Sequence, residues 1–428
     1  VPDGRWSRLA RLGSLATGVA GGMLAEGARQ LAQGRRPRIS DLLLTPANAR
    51  RVADQLAQLR GAAMKVGQLI SMDAGDLLPP ELAVILARLR AEAHPMPMSQ
   101  LVSVLNVNWG AGWEQQFEQF SFTPVAAASI GQVHLARTRD GRHLAIKVQY
   151  PGIRQSIDSD VDNVAALLRV SGLLPKTLDI KPLLDEAKRQ LHAEADYLRE
   201  GEWLRQYRVL LADAPDFALP ELHADLTTVS VLAMSRMDGV PVESLIDAPQ
   251  AERDRIAGLL ITLVFREIFE FRLIQTDPNF ANYRVDTATQ QLILLDFGAT
   301  RAYPEAMVDA YRRLMTGAIA GDRKAIGLAA ADIGYFQADI EDRHREAVLD
   351  IFTQACEPLC HDGAFDFAGS GLAARIRDAG MVLARDRDFW HTPPADALFL
   401  HRKLGGLYLL AARLRARVNV RDLANGIL

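Results

Sequence analysis

Two aspartates and an asparagine between Gln275 and Gly298 have the types and spacing of a phosphoryl-transfer centre. Asp277 precedes Asn282 by five positions in Gln275-Thr276-Asp277-Pro278-Asn279-Phe280-Ala281-Asn282, and Asp296-Phe297-Gly298 follows the strand-like run Gln291–Leu295. On a tight loop, an Asp and an Asn at this spacing place a carboxylate near an attacking oxygen while the amide oxygen holds a divalent metal. A second Asp at a strand end then chelates Mg²⁺ bridging the nucleotide phosphates. The expected cofactors are ATP and Mg²⁺. Asp277 is the candidate for orienting or deprotonating the nucleophile, and Asn282 and Asp296 are the candidate metal ligands.

Such a centre needs a cation on the phosphates and a strand to carry it. Lys147 lies in His143-Leu144-Ala145-Ile146-Lys147-Val148, which alternates as a strand does and matches V-A-I-K with Leu in place of Val. Gly131–Thr138 reads as its partner strand, and Asp140-Gly141 supplies the positive-φ turn of a two-residue hairpin. The loop entering this hairpin departs from G-x-G-x-x-G-x-V. It reads Ala126-Ala127-Ala128-Ser129-Ile130-Gly131-Gln132-Val133, so only the last Gly and the Val remain. Each alanine Cβ restricts positive φ and keeps the backbone further from phosphate oxygens, so nucleotide handling should differ from that of an ordinary protein kinase. By propensity alone the alanines start a helix. Their place ahead of a hairpin and a lysine makes them a nucleotide loop instead.

Four motifs in order carry a family resemblance: KVGQ from Lys65 to Gln68, AAASIGQVHLA from Ala126 to Ala136, EAD from Glu194 to Asp196, and QTDPNFANY from Gln275 followed by LLDFGATR. From about Pro46 to about Tyr311 the chain resembles the UbiB-like atypical kinases, most of all the branch that supports coenzyme Q biosynthesis. Read without that resemblance, Lys65 sits on an amphipathic helix over Asn48–Met72 and is an ordinary solvated lysine. The resemblance implies that the KxGQ helix lies across the peptide-substrate site of a protein kinase and points Lys65 into the active site. Asp185–Leu211 reads as one long charged helix on which Asp196 and Glu200 share a face while Glu194 projects elsewhere. By resemblance, Glu200 pairs with Lys147 and the Glu194/Asp196 motif faces Lys65. From the helix alone, surface charge complementing Lys188, Arg189 and Arg199 serves as well.

Adenine recognition is expected at a backbone hinge. The β-branched run Thr227–Leu232 reads as a strand leading to Met234 as gatekeeper and to Met237 as the backbone adenine contact, with a turn at Asp238-Gly239. Methionines at strand ends also serve as core filler. Gln275-Thr276 stands where a protein kinase has His-Arg, which leaves no arginine there for a phosphorylated activation loop. A helical pattern begins directly after Pro304, with no A-P-E. Both features argue against phosphorylation of large protein substrates.

With 49% hydrophobic and 24% charged residues among 428, the chain has an ordinary globular composition, and a net charge of -3 excludes nothing. Val1–Arg60, however, holds ten arginines against four acidic residues, including the cluster Arg35-Arg36-Pro37-Arg38. It also contains the uncharged, small-residue run Gly13–Ala25, too short to span a bilayer. The combination favours anionic lipid over nucleic acid, through an interfacial helix or through one that packs on the kinase core. Export is rejected because the catalysis needs ATP, so the expected location is cytoplasmic, peripheral on the inner membrane face. Cys356 and Cys360, four apart on a helical pattern, lack the further ligands of a metal site and fit a reducing compartment.

The fold expected is α+β: a bilobal protein-kinase-like fold with an N-terminal helical extension. Residues 1–115 form the extension, 116–237 the N-lobe with a helical insertion, and 238–428 a mainly helical C-lobe entered by a helix over Ala251–Phe271. The function expected is an atypical kinase or ATPase that supports ubiquinone biosynthesis, its second half implied by resemblance. A phosphotransferase acting on a small molecule or lipid, and a nucleotide-switched scaffold, stay open. Expected partners are ATP, anionic lipid, ubiquinone precursors and enzymes of that biosynthesis.

Overall fold

The computed structural model describes Ala62, Val66 and residues 95–128, 130–170, 181–336, 340–385 and 393–428. Two compact units emerge. One runs to Tyr197 and takes in Asp225–Ala233; the other comprises Leu198–Ala224 and Met234–Leu428.

The first unit is built on an antiparallel sheet. Helix α1 (Met98–Trp109) precedes β1 (Phe117–Phe120), β2 (Ala126–Ala127), β3 (Gly131–Thr138) and β4 (His143–Gln149). Leu144, Ile146 and Val148 alternate along β4 and bury one face against Leu101 and Leu105 of α1, Trp113 and Phe117. The opposite face of β4 is therefore left to Ala145, Lys147 and Gln149. Helices α2 (Ile153–Val170) and α3 (Lys181–Glu194) form the expected helical insertion. The chain then enters α4 (Tyr197–Leu210) and β5 (Phe217–Ala218) before β6 (Val231–Ser235) joins the sheet beside β4 in the order β1-β3-β4-β6.

Several sequence expectations need correction here. The β3–β4 hairpin is wider than a two-residue turn. Gly141 alone is left-handed (φ 92), its N–H reaches the Thr138 carbonyl at 3.0 Å, and the Thr138 N–H reaches Arg142, giving a turn plus a bulge. The segment Asp185–Leu211 is two helices, broken at Ala195-Asp196. At the break, the Ala195 carbonyl accepts from Gln149 Nε2 (2.9 Å), and the Tyr197 N–H donates to the Val229 carbonyl (3.2 Å). Asp196 and Glu200 thus do not share a helix face. Strand β6 begins at Val231, not Thr227, because the Thr228 hydroxyl accepts the N–H groups of Ser230 and Val231 in a side-chain turn. Lys65 and the Asn48–Met72 segment lie outside the described residues except for Ala62 and Val66, both helical and buried.

The second unit carries small sheets among helices. After β7 (Val240–Pro241), α5 (Gln250–Arg266) continues to Phe271 as expected, but as a π-turn over Glu267–Phe271, after which Arg272 takes a left-handed φ of 52. Then come β8 (Leu273–Gln275), β9 (Tyr283–Val285), β10 (Leu292–Leu294) and β11 (Thr300–Ala302). Strands β5, β10, β9 and β7 form one sheet, and β8 pairs with β11. Helices α6 (Glu305–Ile319), α7 (Arg323–Ile333), α8 (Asp342–Ala355) and α9 (Glu357–Cys360) follow, then β12 (Phe365–Asp366), α10 (Leu372–Arg385), α11 (Ala395–Arg413), β13 (Arg417–Val418) and α12 (Val420–Asn425). Cys356 caps the junction of α8 and α9 rather than sharing a helix with Cys360, and burial raises its thiol to about 12. Asp238-Gly239 is irregular and forms no assigned turn. Gly239 is needed there because a Cβ would come 2.8 Å from the Val285 carbonyl.

His401 of α11 is buried between Tyr335, whose hydroxyl is 2.7 Å from Nδ1, and Tyr311, whose hydroxyl is 3.1 Å from Nε2, with the Phe352 ring alongside. Burial lowers its pKa to about 4. The folded state therefore favours neutral imidazole, and the resulting stability is complete above about 6.5 and is lost as pH falls towards 4. The expected outcome is a loss of about 1.4 kcal/mol per pH unit across this window, read as the unfolding midpoint in urea, with a shallower slope in His401→Asn.

Candidate active site

In the first unit, Lys147 is buried on the face of β4 opposite the core and sits across from Val133 in the β3 register. Its ammonium lies 5.6 Å from the ring centroid of Tyr197, a cation–π distance. The alanine loop is not helical. Ala126 and Ala127 pair with Val133 and Gln132 as an exposed edge strand, and the Ala128 N–H closes on the Gly131 carbonyl at 2.9 Å. Gly131 is retained for packing: a Cβ there would overlap the carbonyl oxygen of Val148 on β4. Ser129 lies outside the described residues. Glu194 ends α3 and Asp196 occupies the helix break.

In the second unit, two strands of unlike origin are tied side by side. The β8–β11 ladder pairs Gln275 with Thr300. The Thr276 hydroxyl donates to the Ala299 carbonyl (2.7 Å), and the Leu295 N–H donates to the Asn282 carbonyl (3.1 Å). These tethers hold both ends of the 276–282 loop against the 295–299 segment. They bring Asp277, Asn282 and Asp296 into one neighbourhood.

Within it the polar groups are oriented. Asn282 Nδ2 donates to Asp277 Oδ2 (3.2 Å), which turns the amide oxygen away from that carboxylate. The Asn279 side chain accepts from the Ala281 N–H (3.2 Å) and caps the short turn that carries Asn282. Asp296 Oδ1 accepts from the Gly298 N–H (3.0 Å). A Cβ on Gly298 would come 3.3 Å from Glu200 Oε2 and 3.4 Å from Asp296 Oδ1, so both carboxylates border the same glycine. Phe297 is buried against Tyr207, with ring centroids 4.9 Å apart, which locks α4 to this segment. Met234 is buried on β6, and Met237 is half-buried in the irregular stretch after it.

The donors fit magnesium. A carboxylate from Asp296 and an amide oxygen from Asn282 are hard oxygen ligands. Mg²⁺ commonly takes one or two protein carboxylates and completes its shell with phosphate and water. Among the described residues, no group of three or more His, Cys, Asp or Glu forms a closed metal cage.

Beneath the loop is a buried charge network that no local motif signals. Lys403 of α11 donates to Tyr283 (2.7 Å) and to Gln275 Oε1 (3.1 Å) and stands 3.7 Å from Glu267 Oε2. Glu267, on the π-turn, accepts from the Tyr207 hydroxyl (2.7 Å) and the Gln275 N–H (3.2 Å). Burial works to strip the proton from Lys403, but Glu267 and Tyr283 outweigh it and hold the pKa above its ordinary value. Burial likewise pushes the Glu267 carboxyl up, against the pull of Lys403 and Tyr207. Arg402, the neighbouring residue, reaches Asp277 Oδ1 at 3.3 Å. Neither cation was legible from local sequence, since the chain separation from Asp277 to Arg402 is 125 positions.

Residues 88–330 match the ABC1 atypical kinase-like domain, more than half of the chain. The chain belongs to that family. Among curated relatives of this ABC1 chain, the atypical kinase COQ8 of Saccharomyces cerevisiae, mitochondrial, is 37% identical over 98% of this chain and 84% of its own length. The Caenorhabditis elegans atypical kinase coq-8, mitochondrial, is 39% identical over 98% of this chain, which spans 56% of that relative's length. Among solved structures, the Rv3197–erythromycin complex from Mycobacterium tuberculosis matches this ABC1 protein with a TM-score of 0.60 at 25% identity, covering 87% of this chain and 93% of that one.

Replacing Lys403 with Met leaves the Glu267 carboxylate buried without its cation. The expected cost is about 3–5 kcal/mol in unfolding free energy, with much of it recovered in the double variant Lys403→Met/Glu267→Gln; chemical denaturation of both variants checks this.

Proposed function

We propose that this chain is an atypical kinase that binds Mg²⁺-ATP and supports ubiquinone biosynthesis. The observation that carries the reading is the pair of tethers holding the Asp277–Asn282 loop against the Asp296-Phe297-Gly298 segment, inside a chain of the ABC1 family. The mitochondrial atypical kinases among its relatives support the pathway and the class of activity.

In this reading Asp277 takes or orients the proton of the attacking hydroxyl. Its Oδ2 is steered by Asn282, so the carboxylate meets the nucleophile in one orientation. Asn282 and Asp296 would hold Mg²⁺, which when bound offsets charge on the phosphates. Lys147 contacts the phosphates. Ala126, Ala127, Ala128, Ser129, Gly131 and Val133 cover the nucleotide, and Met237 meets adenine through its backbone. Lys65, Glu194 and Asp196 restrict access. The acceptor is water or a small hydroxylated lipid precursor, because only residues 299–304 separate Gly298 from α6 and leave little room to dock a protein. The basic N-terminal stretch supports contact with anionic lipid. Among the described residues, no helix is long and apolar enough to cross a membrane.

Phosphate release from Mg²⁺-ATP, with and without anionic liposomes, tests the proposal. Turnover that rises with liposomes and disappears in Asp296→Asn is expected. Asp277→Asn should lower kcat by about 10²–10⁴-fold while nucleotide binding persists. Wild-type rates in either variant would remove the catalytic reading.

A further inference from the structure

The catalytic loop and the segment after Gly298 meet the same helix, and that helix lies beyond the family match, which ends at residue 330. Near the start of α11, Asp396 accepts from Arg301 (Nη2 at 2.7 Å, Nε at 3.0 Å), and its carbonyl accepts from the Tyr303 hydroxyl (2.8 Å). The Arg301 guanidinium also stacks 4.6 Å over Phe399. One to two turns further on, Arg402 reaches Asp277, and Lys403 holds Gln275 and Tyr283. Next along the same face is Gly406, where a Cβ would overlap the Pro278 side chain. The helix backbone therefore comes into direct contact with the residue that follows Asp277. The preceding glycine, Gly405, faces open space, with nothing within 4 Å of a Cβ.

Two glycines in succession weaken a helix by roughly 1 kcal/mol each relative to alanine. At Gly406 close approach explains that cost, since no larger residue lets Pro278 seat. Arg402 meets Asp277 through a single nitrogen–oxygen contact, not a two-pronged fork. Its contribution there is charge and reach, which a lysine can also supply. No cationic residue occurs between Gln275 and Asn282, so the cation beside this carboxylate comes from a distant part of the chain.

We infer that α11 is a built-in clamp that sets the position of Asp277, with Arg402 and Gly406 as positioning residues acting on the carboxylate and on its following proline. The clamp supplies in cis, and permanently, the ordering that a phosphorylated activation segment supplies in many protein kinases. This rests on the catalytic reading of Asp277 given above. The consequence is a split between turnover and affinity: the clamp touches the loop that acts on the nucleophile and does not include the phosphate-binding lysine.

The test compares neighbouring substitutions in the full chain. Gly405→Ala should turn over as wild type does. Gly406→Ala must displace Pro278, and a displacement approaching 1 Å lowers kcat by about 10- to 100-fold with unchanged affinity for Mg²⁺-ATP, measured separately by calorimetry. Arg402→Met should lower kcat in the same pattern, and Arg402→Lys should recover most of the loss. Hydrogen exchange of the amides of residues 276–282 should be faster in Gly406→Ala and Arg402→Met than in Gly405→Ala, a readout that needs no turnover. Equal exchange and equal kcat across the set would overturn the clamp. Faster exchange in those two variants, alongside a wild-type protein that never hydrolyses or transfers phosphate, would keep the clamp and remove the catalytic reading. Loss of kcat accompanied by an equal loss of nucleotide affinity would also overturn it.

Discussion

A buried lysine needs a counter-charge, and in this protein that requirement ties the second unit together. Lys403 cannot sit uncompensated in a low-dielectric interior, and Glu267 cannot sit there without a cation and donors. The two meet at a π-turn, a helical irregularity that often accompanies function; both bond Gln275 and Lys403 also bonds Tyr283, the strand residues that flank the 276–282 loop. Tyr207 then carries the same network into α4, where its ring packs on Phe297. A helix from the chain's last quarter, a helix near its middle and the loop bearing Asp277 are thus held by one set of polar contacts. The network's cost in desolvation is offset by its geometry, and its effect is to leave the loop a single resting place.

The two units solve different problems. In the first, strand alternation on β4 commits Leu144, Ile146 and Val148 to the core and so puts Lys147 on the other face without further instruction. In the second, no alternating pattern is long enough to do this. Strands β8 to β11 are only three residues each, and side-chain tethers such as Thr276 to Ala299 do the positioning. Glycines serve where a neighbour comes too close for a Cβ, at Gly131, Gly239 and Gly406, as well as where φ is positive, as at Gly141.

Local motifs with a fixed spacing were legible in the sequence. Asp277, Asn282 and Asp296 could be picked out because a short loop and a strand end fix where they point, and Lys147 because period-two alternation does the same. The strand β3, the inserted helices and the helical C-terminal portion were legible for the same reason. What escaped was decided by partners far along the chain. The break at Ala195-Asp196 leaves an apparently continuous helical pattern, and it exists because Gln149 and Val229 satisfy the backbone there. The start of β6 was misplaced because β-branched Thr227 and Thr228 look like strand residues, although a hydroxyl on Thr228 competes for the backbone. Arg402 and Lys403 look like solvent-facing charges on an amphipathic helix; only the fold shows that one meets a carboxylate and the other is buried.

The distance along the chain between Asp277 and Arg402 also has a consequence in time. The residues that match the family end at 330, before α11 begins at Ala395, and 125 positions separate Asp277 from Arg402, which at ribosomal speeds of about 5–20 residues per second is roughly 6–25 s of synthesis. Throughout that interval the loop bearing Asp277 has neither its cation nor its seat for Pro278. Under the clamp proposed above, a nascent chain would be kept from consuming nucleotide until α11 has emerged.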